Sequence, residues 1–205
     1  MDGERFCAAA GLLWDARAFD RAEAAGVAAV RRLVLERPRS TDAERLPLFL
    51  AAILEDLGVP PEERRDASAR IAAEHRRSNL WSRAYADAAS TLEALARRGY
   101  RMGVVSNADG RVRGLLQRAG LAPFLEIVVD SSEVGFEKPD PRIFQAATAR
   151  LDLPPERCAY VGDIYEIDVV GARAAGLRAL LIGSGAAPEG TERVERLPDL
   201  LGVFP

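Results

Sequence analysis

The sequence has little of several residue types that would point to particular classes of protein. Its 205 residues include two cysteines, two methionines and one histidine, and aromatic residues make up 6%. Cys7 lies near the N-terminus and Cys158 lies in an apolar stretch, which is the spacing of neither a metal site nor a redox pair. We therefore interpret both cysteines as small buried hydrophobic residues.

Long apolar runs are also absent. No stretch approaches the ~20 consecutive apolar residues of a transmembrane helix, and residues 1–5 lack the basic start and apolar core of a secretory signal. The sequence therefore predicts no membrane partner and a cytoplasmic location. A net charge of −3 gives no reason to expect a nucleic-acid partner, and arginine pairs such as Arg31-Arg32 lie on predicted helices as solvated faces.

The composition is that of an ordinary globular protein, with 48% hydrophobic and 29% charged residues. Residues 1–80 are predicted to be all-helical. Asp15 is a candidate N-cap for one helix, and Ser40-Thr41 begins a second helix that ends at Gly58. A third, polar helix is predicted over residues 62–77, and the only histidine lies on it as a surface residue.

From residue 81 onward, helices and short apolar strands alternate. Strands are predicted at 101–105, 125–129, 158–161 and 178–182, and helices at 87–98, 109–119, 140–151, 166–175 and 190–197. This alternation is typical of a parallel sheet covered by helices on both faces. The sequence therefore predicts an α/β fold, with a doubly wound, Rossmann-type sheet over residues 81–205 and a small all-helical domain over residues 1–80.

Two carboxylates follow the predicted strand 158–161. Gly162 allows the chain to turn there, Asp163 lies on the turn, and Asp168 follows at the start of a helix. Because ligands of open α/β sheets bind beyond the carboxyl ends of the strands, two acids at this place indicate a site for a hard cation such as Mg²⁺. The alternative is that Asp163 caps a helix and Asp168 is a solvated acid in its first turn.

Two further motifs stand beside predicted strands. Ser106-Asn107 follows strand 101–105 where a helix is predicted to begin, so the Ser106 hydroxyl and the helix N–H groups predict a site for a phosphate oxygen. Lys138 is held just before Pro139 and could offset the charge of a phosphoryl group or of nearby carboxylates. The alternatives are an ordinary strand-to-helix turn and a solvated loop lysine.

The order of these motifs suggests a family. Ser106-Asn107, Lys138-Pro139 and Gly162-Asp163 with Asp168 follow one another along the chain. This combination closely resembles the haloacid dehalogenase (HAD) superfamily of hydrolases, whose second, third and fourth motifs are Ser or Thr after a strand, a lysine, and Gly-Asp followed by another Asp. The resemblance covers residues 81–183, and the helical segment before it resembles the small cap of many members.

The resemblance implies a role for each residue. Ser106 would hydrogen-bond the transferring phosphoryl group, with Asn107 as its neighbour, and Lys138 would stabilise the nucleophile and the phosphoryl charge. Asp163 would be the Mg²⁺ ligand, supported by Asp168 directly or through water. These roles imply a Mg²⁺-dependent phosphatase that acts on a small phosphorylated metabolite through an aspartyl-phosphate.

Other reactions of the family are disfavoured. Haloacid dehalogenases need no metal and tend to carry serine-like residues where this chain has Gly162-Asp163. Phosphonatase chemistry needs a cap lysine for a Schiff base, and residues 15–78 contain no lysine. The sequence favours the phosphatase, with a catalytically inactive HAD-fold protein that binds a phosphorylated ligand or a protein partner as the alternative.

The first motif of the family, an apolar strand ending in Asp-x-Asp-Gly-Thr or a relative, is not found. Asp15 follows the apolar Leu12-Leu13-Trp14 but has Arg17 where the second acid belongs, and Met1-Asp2-Gly3 could be only the tail of such a motif. Our expectation is that the chain begins late and lacks roughly ten or more residues that hold the first motif, including its strand. The two strands beside it would then keep unpaired inner edges, and the chain would have little or no hydrolase activity.

Overall fold

The computed structural model describes residues 1–205, which divide into two compact units, Met1–Arg83 and Ala84–Pro205. None of the helices combines the length and the apolar character that a membrane span requires. Each unit has its own secondary structure and its own buried residues, and the two are described in turn.

The first unit is all-helical. Its helices are α1 (Gly3–Ala10), α2 (Ala16–Glu36), α3 (Asp42–Asp56) and α4 (Pro61–Arg77). The last three correspond to the predicted helices, whereas α1 was not predicted. Asp15 caps α2 by accepting a hydrogen bond from the Ala18 amide at 2.8 Å, and Thr41 and Glu44 form a capping box at the start of α3.

The buried side chains of this unit come from all four helices. Those with almost no exposed surface are Phe6, Phe19, Ile53, Leu54 and Ile71. His75, predicted to be a surface residue, is half-buried: its Nδ1 accepts from the Leu80 amide at 3.3 Å, and its ring packs edge-on against Trp81. The histidine therefore serves to fix the chain that follows α4.

The second unit is the predicted α/β fold. Its strands are β1 (Gly103–Ser106), β2 (Ile127–Asp130), β3 (Ala159–Gly162), β4 (Arg178–Ile182) and β5 (Arg193–Val194). Its helices are α5 (Ala88–Arg97), α6 (Val112–Arg118), α7 (Ser131–Val134), α8 (Pro141–Leu151), α9 (Val170–Ala174) and α10 (Leu200–Val203). All strand pairs are parallel, which agrees with the predicted fold class.

Two predicted elements near the C-terminal end of the chain differ from the structure. Residues 190–197 were predicted as a helix but contain β5, because Val194 is buried against Leu180 and Leu200 while β5 pairs with β4. The helix predicted over 166–175 begins with a π-helical turn, Tyr165–Val169, before α9. Short strands and irregular turns of this kind depend on tertiary contacts more than on sequence periodicity.

The sheet consists of two separate parts. β1 pairs only with β2, and β3 pairs with β4, which pairs with β5. β1 and β3 therefore each lack a strand neighbour on one side, in agreement with the expectation that the two inner strands keep unpaired edges.

Two apolar clusters hold the second unit together. One joins α8 and α9 to β2 and β4 through fully buried side chains, among them Phe144, Val129 and Val169. The other is built on Leu180 of β4, with Val194 and Leu200. The two clusters thus hold the helices against the sheet. The loops after β1 and β3 are left to carry polar side chains.

Candidate active site

Lys138 is the central charge of the site. Its ammonium donates to Asp168 Oδ1 at 2.7 Å and to the Tyr160 hydroxyl at 2.9 Å. The lysine side chain is 13% exposed and that of Asp168 is 3% exposed, so water screens this ion pair little. The structure thus brings together Lys138 and Asp168, as the motifs predict, and adds Tyr160, which sequence reasoning missed.

Lys138 and Tyr160, which both contact Asp168, have shifted pKa values. Burial alone would lower the pKa of Lys138, but the charge of Asp168 and the hydrogen bonds outweigh it and raise that pKa above its usual value. Burial is the main reason that the pKa of Tyr160 rises to about 12, although Lys138 opposes the shift. At neutral pH the site therefore holds a charged ammonium and a neutral phenol.

Gly162 allows Asp168 to lie at the end of β3. A Cβ on residue 162 would overlap the Asp168 side chain, so only glycine permits this close approach. Asp168 Oδ2 accepts from the Ile164 amide at 2.9 Å, which closes the turn between the strand and the π-helical segment. The Gly-Asp pair followed by a second acid is therefore a packing requirement as well as a chemical signature.

Asn107 fastens the Lys138 loop to the end of β1. Its Oδ1 accepts from the Lys138 amide at 2.7 Å, and its Nδ2 donates to the Lys138 carbonyl oxygen at 3.1 Å. Two hydrogen bonds to one backbone residue fix both the position and the orientation of the loop. Asn107 is thus placed to position the lysine, a role that its place next to Ser106 did not predict.

Ser106 ends β1 as a half-buried residue, but the helix predicted to begin beside it starts later. The helix predicted from residue 109 begins only at Val112. The nearby Ala108 amide donates to Ser131 Oγ at 3.0 Å, and the Gly110 amide donates to buried Asp130 at 2.9 Å. These amides are already paired within the chain, so the Ser106 hydroxyl remains as the candidate phosphate donor.

Asp130 and Ser131 were not predicted to matter. They stand at the end of β2 in the same way that Ser106-Asn107 stands at the end of β1. Polar residues directly after an apolar strand are a sequence signal that would have found them. Asp130 accepts from the Gly110 amide, and its other oxygen accepts from Ser132. Their observed role is to hold the loop after β1.

Asp163 is the exposed member of the acidic pair. Partial burial of its carboxyl group and then the charge of Asp168 raise its pKa, while Lys138 opposes the rise. Mg²⁺ in proteins is commonly held by one or two carboxylates together with water and phosphate oxygens, so this pair has the right donor chemistry. No group of three or more His, Cys, Asp or Glu side chains is placed to hold a metal ion.

Neither partial match to the first motif, at Asp15 or at Met1-Asp2-Gly3, lies at the end of a strand. Asp15 caps α2 in the all-helical first unit. Asp2 caps α1, accepting from the Arg5 amide at 3.3 Å. The structure therefore gives Asp15 the helix-cap role that the sequence offered as its alternative, and no carboxylate nucleophile is found among the motifs.

The sequence matches the haloacid dehalogenase-like hydrolase family over residues 8–176. Because the match extends over most of the chain and the fold and motifs agree with it, the chain belongs to this family of hydrolases.

Curated relatives include two phosphatases. The phosphoserine phosphatase of Thermus thermophilus is 38% identical over 154 residues, which are 74% of this chain and 60% of that protein. The glyceraldehyde 3-phosphate phosphatase of Methanothermobacter thermautotrophicus is 40% identical over 115 residues, or 56% of this chain and 51% of that protein. The chain thus spans between half and two thirds of the length of these relatives.

Solved structures with the same fold include different chemistries. A HAD phosphatase of Thermococcus onnurineus matches with a TM-score of 0.59 and 26% identity, covering 85% of this chain and 77% of that one. A 2-haloacid dehalogenase of Pseudomonas syringae matches with a TM-score of 0.56 and 25% identity, covering 93% of both chains. The fold alone therefore does not choose between reactions, and the site residues must.

Proposed function

We propose that this chain carries the phosphoryl-binding and cation-binding side of a phosphatase site for small phosphorylated metabolites. The observation that supports this most is the charged, little-exposed Lys138, which Asn107 and Asp168 hold at the ends of β1 and β3. A fixed ammonium with little water around it stabilises the negative charge of a phosphoryl group more strongly than a solvated one.

Each predicted site residue then has a role. Lys138 binds the phosphoryl oxygens, Ser106 donates a hydrogen bond to them, and Asn107 keeps the lysine in place. Asp163 would hold Mg²⁺, and Asp168 would support the ion while it orients Lys138. When bound, Mg²⁺ would neutralise part of the phosphoryl charge.

The acid at position 163 supports a phosphatase over a dehalogenase. A reaction that needs no metal gains nothing from a second carboxylate beside Asp168, whose charge raises the pKa of Asp163. A bound cation would relieve that repulsion. The two phosphatase relatives act, by their names, on phosphoserine and glyceraldehyde 3-phosphate, which supports a small phosphorylated metabolite as substrate, selected by the helical cap of residues 1–80.

The test measures thermal stability with Mg²⁺ and with inorganic phosphate. Both should raise the melting temperature as their concentration increases, because they bind the folded state. Asp163→Asn should abolish the Mg²⁺ effect and Lys138→Met the phosphate effect. Glu156→Gln removes an exposed carboxylate just before β3 and should keep both effects. If Asp163→Asn kept the Mg²⁺ effect and Lys138→Met kept the phosphate effect, the proposal would be contradicted.

Turnover of an aryl phosphate distinguishes an active phosphatase from a catalytically inactive protein that only binds a phosphorylated ligand. The chain alone should bind phosphate without hydrolysing it, because no carboxylate nucleophile accompanies Lys138. Hydrolysis that Asp15→Asn abolishes would restore Asp15 as the nucleophile and contradict its assignment as a helix cap.

A further inference from the structure

The Tyr160 hydroxyl lies between three polar groups. It accepts a hydrogen bond from the Lys138 ammonium at 2.9 Å, and it faces two acceptors, the Val105 carbonyl oxygen at 3.1 Å and Asp168 Oδ1 at 3.3 Å. A phenol has one hydrogen to donate. The hydroxyl oxygen therefore accepts from Lys138 while its hydrogen has a choice between a backbone oxygen of β1 and a carboxylate.

The ring of Tyr160 holds that hydroxyl in a fixed place. Tyr160 belongs to β3, and its ring packs edge-on against the fully buried Phe144, with the ring centroids 4.9 Å apart. The Lys138 ammonium lies 5.4 Å from the centre of the Tyr160 ring, within the range of a cation–π contact. The strand and the apolar cluster around Phe144 thus fix the hydroxyl independently of Asp168.

Asp168 is the other group that holds the end of the Lys138 side chain. Its Oδ1 accepts from the ammonium at 2.7 Å, and its Oδ2 accepts from the Ile164 amide at 2.9 Å. Under the proposed function the same carboxylate supports a cation beside Asp163. A cation there repels the ammonium and takes up part of the negative charge that attracts it. The hold of Asp168 on Lys138 therefore weakens when a cation binds.

We propose that Tyr160 is a positioning residue, which keeps the Lys138 ammonium in place for a phosphoryl group when a cation binds at Asp168. The hydroxyl is neutral, so a cation does not repel it or compete for its charge. Its hydrogen then goes to the Val105 carbonyl oxygen, while its oxygen still accepts from Lys138. This inference rests on the proposed function, because it requires a cation at Asp168 and a phosphoryl group at Lys138.

The first test measures the affinity for inorganic phosphate by calorimetric titration, with and without Mg²⁺. Tyr160→Phe removes the hydroxyl and keeps the ring that packs on Phe144. Phosphate should bind this variant about threefold more weakly than wild type without Mg²⁺ and about tenfold more weakly with it, because Asp168 compensates for the lost hydrogen bond only while no cation is bound. A purely structural role would give the same loss under both conditions.

The matched control is Tyr100→Phe. The Tyr100 hydroxyl donates to the Pro205 carbonyl oxygen at 3.4 Å, so this substitution also removes one phenol hydroxyl from the second unit but leaves the contacts of Lys138 intact. Its phosphate affinity should equal that of wild type with and without Mg²⁺. An equal loss in Tyr100→Phe would show that the effect does not come from the contact with Lys138, and it would overturn the proposal.

The second test observes the ammonium itself. Because Lys138 is the only lysine in the sequence, isotope labelling of lysine side chains gives a single NMR signal. The hydrogens of an ammonium that is held by hydrogen bonds exchange slowly with water. Exchange should stay slow in wild type when Mg²⁺ is added and become several-fold faster in Tyr160→Phe. Fast exchange in wild type with Mg²⁺ would overturn the proposal even if Tyr160→Phe did not fold.

The same measurements separate the role of Tyr160 from the proposed function. If wild type binds Mg²⁺ and phosphate and Tyr160→Phe binds both equally well, the proposed site stands and Tyr160 does not position the lysine. If wild type binds neither ion, the proposed function fails, and the cation-dependent role of Tyr160 fails with it. A loss in Tyr160→Phe that is the same with and without Mg²⁺ would leave the site standing and overturn the positioning role.

Discussion

At the scale of single residues, Lys138 differs from the rest of the basic residues. It is the only lysine in the sequence, which otherwise uses arginine for its strongly basic side chains. An ammonium is a compact point charge, whereas the planar guanidinium is larger and presents a fixed fork of donors. Lys138 Nζ donates to both Asp168 Oδ1 and the Tyr160 hydroxyl, an arrangement that suits a compact charge. A single lysine among 28 basic residues is itself a signal in the sequence.

Gly162→Ala should destabilise the chain by about 1–3 kcal/mol, because the added methyl group overlaps the Asp168 side chain. The loss is measured as the change in the free energy of unfolding in urea. Gly202→Ala is the control: a Cβ there meets nothing within 4 Å, so its effect should be small. A neutral Gly162→Ala would contradict a close approach of Asp168 to the strand.

At the scale of elements, the first unit contains an ion-pair network between α1 and α4. Glu74 of α4 accepts from Arg77 on its own helix and from Arg5 on α1, and Arg5 also donates to the Ser78 carbonyl oxygen. α1 was not predicted as a separate helix, because a stretch of eight residues is too short to carry a clear periodic signal. Contacts to α4, distant in sequence, hold it in place.

This network predicts acid sensitivity. Hydrogen bonds from Arg77 and Arg5 lower the pKa of Glu74 from 4.5 to about 2. Because the folded-state pKa is the lower one, Glu74 stabilises the fold above pH 4.5, and that contribution is lost as the pH falls towards 2.

The stability difference between wild type and Glu74→Gln should therefore shrink over this pH range, as measured by urea unfolding at successive pH values. Asp66→Asn, an exposed site on α4, is the matched control for the loss of one carboxylate from this helix. A Glu74→Gln difference that stays constant from neutral to acid pH would show that the network does not operate in solution.

The order of elements and the motif positions could be predicted because both are local. The strand predicted at 178–182 coincides with β4, Ser106 ends β1 and Asp163 directly follows β3. Lys138 lies in the loop between α7 and α8. The bonds from Asn107 to Lys138 and from Tyr160 to Val105 could not be predicted, since they join residues 31 and 55 positions apart. Such contacts depend on how strands and loops assemble, which periodicity does not report.

At the scale of the whole molecule, each unit has its own set of buried apolar side chains and could therefore fold by itself. The helical unit buries Phe6, Phe19, Ile53 and Leu54 almost completely, and caps at Asp15 and Thr41 satisfy helix ends. The second unit has clusters around Phe144 and Leu180. A helical cap with its own core can vary without loss of the α/β site, which fits the role we propose for it in substrate choice.

The fragment Met1–Arg83 should therefore be helical and unfold cooperatively when produced alone. Circular dichroism during heating measures both properties. Ile53→Ala should destabilise the fragment by about 2–5 kcal/mol, because Ile53 is fully buried, whereas Leu35→Ala, at a side chain that is 67% exposed, should change its stability little. A fragment without a cooperative transition, or one equally sensitive to both substitutions, would mean that these buried residues do not form an independent core.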